Sequence, residues 1–161
     1  LPNFSVVIEL IWCLIKLKTK MLVIDCIYRS PNSSPDNDNS INNEIDSMSK
    51  KFHNLVIMGD FNYPGIIWSN IISPISAPTK LLPFVETLRN SFLHQHVSKP
   101  THYRNSQTPT LIDLIITSDY NMITNINHRP PIVNSHHQTL YFSIITQPKP
   151  CLRKSAVQLY S

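Results

Sequence analysis

The stretch Leu55-Val56-Ile57-Met58-Gly59-Asp60-Phe61-Asn62 constrains the fold more than any other part of the chain. Four consecutive apolar residues describe a buried strand, and Gly59 lets the backbone turn where that strand ends. Asp60 and Asn62 follow, one aromatic residue apart. Residues two apart on an extended chain point to the same side, so Asp60 and Asn62 should face one way and Phe61 the core. A carboxylate beside a carboxamide at a strand end can hold a water, a metal ion or a phosphate oxygen. Gly-Asp alone is most simply a polar turn after a core strand, and the remaining sequence decides between the two readings.

At 161 residues the chain fits one domain with a substantial core. It is 42% hydrophobic and 15% charged, a globular balance. Thirteen prolines against two glycines mean that its loops turn on Pro, Asn and Ser. A net charge of +4 and a pI near 9.0 permit a polyanionic partner without requiring one. Cys13, Cys26 and Cys151 are odd in number and scattered, which points to a reducing compartment. Val6–Ile15 is apolar but broken by Glu9 and too short to span a bilayer, so no membrane partner is expected. Its basic residues follow the apolar part, which does not suit a signal peptide. The chain starts at Leu1 rather than Met, as a piece of a longer protein would.

Val6–Leu17 and Met21–Tyr28 read as strands of a hairpin, the first with Trp12, Leu14 and also Ile8 on one face. Ser30–Ser40 is a loop by composition. Ser40 caps an expected helix over Ile41–Phe52, where Ile41, Ile45, Met48 and Phe52 recur at helical spacing. After the strand ending at Asp60, Pro64–Pro78 is a long irregular connection with Ile66, Ile67 and Trp68 tucked onto the core. A second helix is expected over Thr79–Leu93, with Leu81, Leu82, Val85, Leu88 and Phe92 as its stripe and Pro83 in its first turn. Leu93–Val97, Leu111–Thr117 and Thr139–Thr146 read as further strands, and residues 147–161 as a linker or tail. Mixed strands and helices imply α/β layers.

Asp113 interrupts the apolar run Leu111–Ile116. Burying even a neutral polar group without a partner costs on the order of 2–7 kcal/mol. A loop backbone could satisfy Asp113, but an Asp that orients a histidine is the sharper reading. His137, just before the last strand, is available for that role. Tyr28, at the end of its own strand, can bring a phenol to the same edge. Tyr28, Asp60, Asn62, Asp113 and His137 therefore all lie at or in expected strands, as a site at one edge of a layered sheet would require.

These blocks resemble the endonuclease/exonuclease/phosphatase superfamily, and most of all the endonuclease domain of LINE-type, jockey-like non-LTR retrotransposons. The resemblance is carried by Ile27-Tyr28-Arg29-Ser30-Pro31-Asn32-Ser33 and by Met58-Gly59-Asp60-Phe61-Asn62-Tyr63-Pro64 with Trp68 downstream. Leu93–Val97 with Pro100-Thr101, then Leu111–Ile115 and Ser135-His136-His137, complete the order over roughly residues 6–146. It implies a four-layer α/β/β/α sandwich of two packed mixed sheets flanked by helices, occupying 1–146. It also implies Mg²⁺-dependent phosphodiester cleavage, with Mn²⁺ as a substitute ion. By family role Tyr28 contacts the scissile phosphate, Asp60 positions or deprotonates the attacking water and Asn62 hydrogen-bonds the phosphate. Asp113 orients His137, which stabilises charge on the phosphoryl oxygens.

Two departures bear on activity. The family's Asn and metal-binding Glu lie upstream of anything in this chain, and Glu9, Glu44 and Glu86 are poorly placed to replace the Glu. Its Ser-Asp-His motif reads Ser135-His136-His137, so His136 occupies an Asp position beside the metal site. Mg²⁺ prefers hard oxygen ligands, so its binding should be weakened, and an imidazole favours softer ions. Among weaker signals, His94 and His96 lack zinc-site spacing. Lys99, His102 and Arg104 fit a DNA-backbone contact as well as a solvated loop.

The expectation is a DNA-nicking endonuclease domain from a truncated or decayed retrotransposon copy, weakly active or inactive, with DNA and a reverse transcriptase domain as partners. An intact element of this kind acts on nuclear DNA. The alternatives are a non-catalytic remnant that binds nucleic acid, or a phosphatase of the same superfamily.

Overall fold

A computed structural model describes residues 9–18, 20–68 and 74–145. Ile8, the segment 147–161 and Cys151 lie outside them. Nine strands and two helices follow in order: β1 Glu9–Lys16, β2 Met21–Tyr28, α1 Pro35–Lys51, β3 Leu55–Asp60, β4 Ile67–Trp68, β5 Pro74–Ser76, α2 Leu82–Asn90, β6 His94–Gln95, β7 Asp113–Thr117, β8 Ile123–Arg129 and β9 Thr139–Ile144. Short 3-10 turns precede α2 and β8.

The main sheet has the order β1-β2-β3-β7-β6. β2 and β3 run parallel, joined across α1, while the other pairs are antiparallel. Alternation along β2 sends Val23, Asp25 and Ile27 to one face and Leu22 and Ile24 to the other. The first face meets Ile41, Ile45 and Met48 of α1 and Phe84, Val85 and Leu88 of α2. The second meets β8 and β9 through Ile123, Ile126, Leu140 and Phe142. Helices, a mixed sheet and a second sheet thus stack in the expected α/β order. Leu55, Val56 and Ile57 are fully enclosed between them, which explains the unbroken apolar run of β3. No helix among the described residues is long and apolar enough to cross a membrane.

Several local expectations are corrected. The first helix begins at Pro35, where Ser34 Oγ accepts from Asn37 N at 3.2 Å and a proline sits in the first turn. Ser40 is inside it, and its hydroxyl donates to Asp36 O at 2.8 Å. The cap does not lie immediately before the first residue of the apolar stripe, because Asp36–Ser40 form a polar opening to α1 ahead of Ile41. In β1, Trp12 and Leu10 pack on the helix-side core, but Leu14, toward the far end of the same strand, is 56% exposed. Ile67 is exposed although Ile66 is buried and Trp68 packs on the core. Phe84 rather than Leu82 faces inward on α2, and Phe92 lies beyond the helix at φ +53, pointing outward. β6 is only His94–Gln95, since Gln95 turns back to donate to Val97 O at 2.8 Å. The strand β8 has no counterpart in the sequence reading.

Candidate functional site

The candidate site is set by strand register. Tyr28 pairs with Asp60, and Asp60 pairs with Asp113, across β2, β3 and β7. Paired residues in neighbouring strands point to the same face, so these three side chains share the face covered by β8 and β9. Glu9 extends the row, pairing with Tyr28 on β1. It stands two strands from Asp60, about 10 Å away at ordinary strand spacing, and is not part of the cluster. Tyr28 is 46% exposed at the rim.

His137 enters from the start of the second sheet. Residues 101–102 bridge it to the main sheet: His102 pairs with both Thr110 and His137, and Gln138 N donates to Thr101 O at 2.7 Å. His137 Nδ1 lies 3.0 Å from Asp113 Oδ2 and 3.2 Å from Oδ1. That contact fixes the ring with Nε2 turned toward Asp60, 3.9 Å from its Oδ2. The separation is too long for a hydrogen bond and leaves room for an atom between the two.

Burial, then repulsion from Asp113, pushes Asp60 up to about pH 6, against the pull of Asn62 N–H and His137. Asn62 sits at φ +48, a left-handed turn that Asn tolerates. Its backbone N–H reaches Asp60 Oδ1 at 3.0 Å. Its amide nitrogen donates to Asp60 Oδ2 at 3.0 Å and to Arg29 O at 2.9 Å. Both amide hydrogens are thereby committed, so Asn62 positions Asp60 instead of offering a free donor to a phosphate. Phe61 between them is fully buried, as alternation demands.

Gly59 is indispensable here: its φ is +144, and a Cβ would stand 1.9 Å from Ile27 O.

Asp60, Asp113 and His137 offer ligand atoms within 4.8 Å of one another. Two carboxylates crowded enough to raise a pKa, with an imidazole beside them, suit a divalent cation. His136 is not in that group. Its side chain is exposed, its carbonyl accepts from Tyr103 N at 2.9 Å, and its ring stands edge-on 6.1 Å from His102.

Three contributors were missed. Thr101 is fully buried, and its Oγ1 accepts from the N–H groups of Asp113 and Ile112 at 3.0 and 3.3 Å. Arg29 is nearly buried, paired bidentately with Asp38 at 2.7 and 2.9 Å and stacked 4.1 Å over Tyr63. It donates to Asn62 O at 3.1 Å and so supports the Asp60–Asn62 turn. His102 packs edge-on against His137 at 4.8 Å. Pro100-Thr101 and Tyr28-Arg29 were visible as motifs, but nothing local shows that a threonine or an arginine turns inward. A cavity of about 660 Å³ lined by Arg29, Asp38, Asn42 and Lys80 adjoins Asn62 but includes none of Asp60, Asp113 and His137.

Residues 22–141 match the family model described as endonuclease-reverse transcriptase. The chain belongs to that family. No curated protein matches it in sequence. Among solved structures it resembles the endonuclease domain of TRAS1, a telomere-specific non-LTR retrotransposon, with a TM-score of 0.67 at 18% identity over 86% of this chain and 64% of that one. It also resembles the 3′-5′ exonuclease NExo from Neisseria meningitidis, with a TM-score of 0.58 at 11% identity, covering 84% of this chain and 70% of that one. A product-bound variant of NExo, described as a 3′ phosphatase in complex with a DNA hairpin, gives 0.56 at 11% identity over 85% and 70%. The chain thus spans just under two thirds of the TRAS1 domain. These likenesses show an endonuclease/exonuclease/phosphatase fold.

Proposed function

We propose that this endonuclease-family domain is a divalent-metal-dependent phosphodiesterase that nicks DNA, within a non-LTR retrotransposon polyprotein that also carries reverse transcriptase. The observation that carries the reading is the Asp113–His137–Asp60 arrangement: a histidine oriented through Nδ1, with Nε2 facing a second carboxylate. Asp60, Asp113 and His137 would hold the ion. When bound, it would supply positive charge against the phosphoryl oxygens.

The protein's own groups divide the remaining work. Ionised Asp60, steadied by both nitrogens of Asn62, positions a water and takes its proton. Asp113 fixes the His137 ring through Nδ1, so that Nε2, its remaining lone-pair nitrogen, faces the ion site beside Asp60. Tyr28 closes the rim of the row with its phenol. With two carboxylates and one imidazole, the centre holds Mg²⁺ weakly and Mn²⁺ better. Nuclear DNA is the corresponding substrate.

Supercoiled plasmid tests the reading directly. Open-circular product in Mn²⁺ that disappears in Asp60→Ala and in His137→Ala is expected. Salt-sensitive DNA binding by well-folded protein without any nicking would instead mean a non-catalytic remnant. Hydrolysis of a small phosphomonoester but not of plasmid would mean a phosphatase.

A further inference from the structure

The loop joining β8 to β9 carries Pro130-Pro131-Ile132-Val133-Asn134. Val133 is 87% exposed and Ile132 69% exposed. Val133 also sits at φ +57, a left-handed conformation that is costly for a β-branched residue. A surface turn that holds an apolar side chain in water in a strained conformation calls for a use, and such outliers gather at functional sites.

The turn is firmly placed. Thr139 Oγ1 donates to Pro130 O at 3.1 Å, and Tyr103 N donates to His136 O at 2.9 Å. Ser135 Oγ accepts from His137 N at 3.0 Å, which ties the tip to the reaction centre four residues beyond Val133. Two consecutive prolines stiffen its other arm. Exposed Arg129 and His136 flank the turn, and Arg104 lies on the neighbouring loop beside Tyr103.

An apolar apex with Arg129 and Arg104 on the surrounding loops, next to a phosphate-handling histidine, matches one class of partner. That partner is a polyanion whose interior is flat and apolar, namely stacked bases inside a phosphate backbone. We propose that the Ile132–Val133 tip is a wedge that enters the base stack beside the phosphodiester held at His137, holding a kinked step open. This rests on the nuclease reading above and adds how the duplex is engaged.

The test compares the full chain with the double variant Ile132→Ser/Val133→Gly, in which glycine also relieves the strained φ. Binding is read by anisotropy in EDTA on a labelled, fully paired duplex and on the same duplex carrying a one-nucleotide bulge. A bulge has already met much of the unstacking cost. The variant is expected to lose about tenfold on the paired duplex and to bind the bulged one almost as the parent does. A 2-aminopurine placed in the duplex should brighten with the parent chain and not with the variant. Parent-like binding of both duplexes by the variant would overturn the wedge and leave the tip a protein contact. An equal loss on both duplexes would also overturn it, as a general folding or charge effect. If the parent nicks plasmid in either case, the nuclease reading stands while the wedge falls.

Discussion

Asp25 gives a prediction whose size follows from the structure. It lies on β2, wholly enclosed against the helix layer, and neither carboxylate oxygen has a hydrogen-bond partner. Its register partner on β1 is Trp12, whose Nε1 is also unpaired. Burial, and secondarily Glu44, raises Asp25 from 3.8 to about 7, with the nearby N–H groups of Cys26 and Ile11 opposing the shift only in part. The folded protein therefore binds a proton that the unfolded chain releases between pH 4 and 7. Stability contributed by the protonated form is complete below about pH 4 and is lost as pH rises toward 7. The loss is at most about 4 kcal/mol, from roughly three pKa units at 1.36 kcal/mol each. Asp25→Asn keeps the shape and removes the ionisation. Urea denaturation of both proteins from pH 4 to pH 8 should show a gap that is smallest at pH 4 and widens by up to about 4 kcal/mol by pH 8. A gap that stays constant with pH would refute the reasoning, since only ionisation of Asp25 makes it widen.

Four further outcomes are expected. Gly59→Ala should cost about 3 kcal/mol or more and abolish folding at moderate temperature, because the new Cβ meets the Ile27 carbonyl; circular dichroism melts would show it. Asp38→Asn strips a nearly buried Arg29 of its carboxylate and should cost about 3 kcal/mol by denaturant titration while loosening the Asn62 turn. Thr101→Val leaves the Asp113 N–H without its acceptor and should destabilise by about 1–3 kcal/mol, whereas Thr101→Ser should restore both stability and nicking. Because Asp60 titrates near pH 6, nicking should fall about tenfold per pH unit below that value, as its proton displaces the ion and disables the base; a flat profile between pH 5 and 7 would exclude Asp60 from either role.

What could be read from sequence was whatever local pattern decides. The β3 run and the inward Phe61 between Asp60 and Asn62 are fixed by residues within a few positions of one another, and the structure has them as expected. Gly59, by contrast, lies inside the strand, paired with Ile27 and Leu114, and not at a turn. Asp113 beside His137 was foreseeable because a carboxylate in an apolar strand must find a partner, and the ordered motifs narrowed the choice.

The contributions of Thr101 and Arg29 were not legible, because each depends on a loop turning inward to meet a strand far away in sequence. Thr101 meets Asp113 twelve residues on, and Arg29 meets Asn62 across thirty-three. Strand β8 escaped for another reason. Its sequence, Ile123-Thr124-Asn125-Ile126-Asn127-His128-Arg129, alternates only weakly, and the register of its pairing with β9 shifts between Thr124 and Asn127. The helix stripe failed at both ends: α2 starts only at Leu82, which is exposed, after a 3-10 turn, and it stops at Asn90, leaving Phe92 on a turn. Apolar spacing does not reveal where a short helix stops.

The most direct measurement is Mn²⁺ binding by electron paramagnetic resonance to the intact chain and to Asp60→Ala, Asp113→Asn and His137→Ala at one pH near neutrality. One ion per chain is expected, with affinity lost in Asp60→Ala and reduced in the other two. Unchanged affinity in Asp60→Ala would contradict a metal centre at Asp60, Asp113 and His137, and with it the catalytic assignment built on that site.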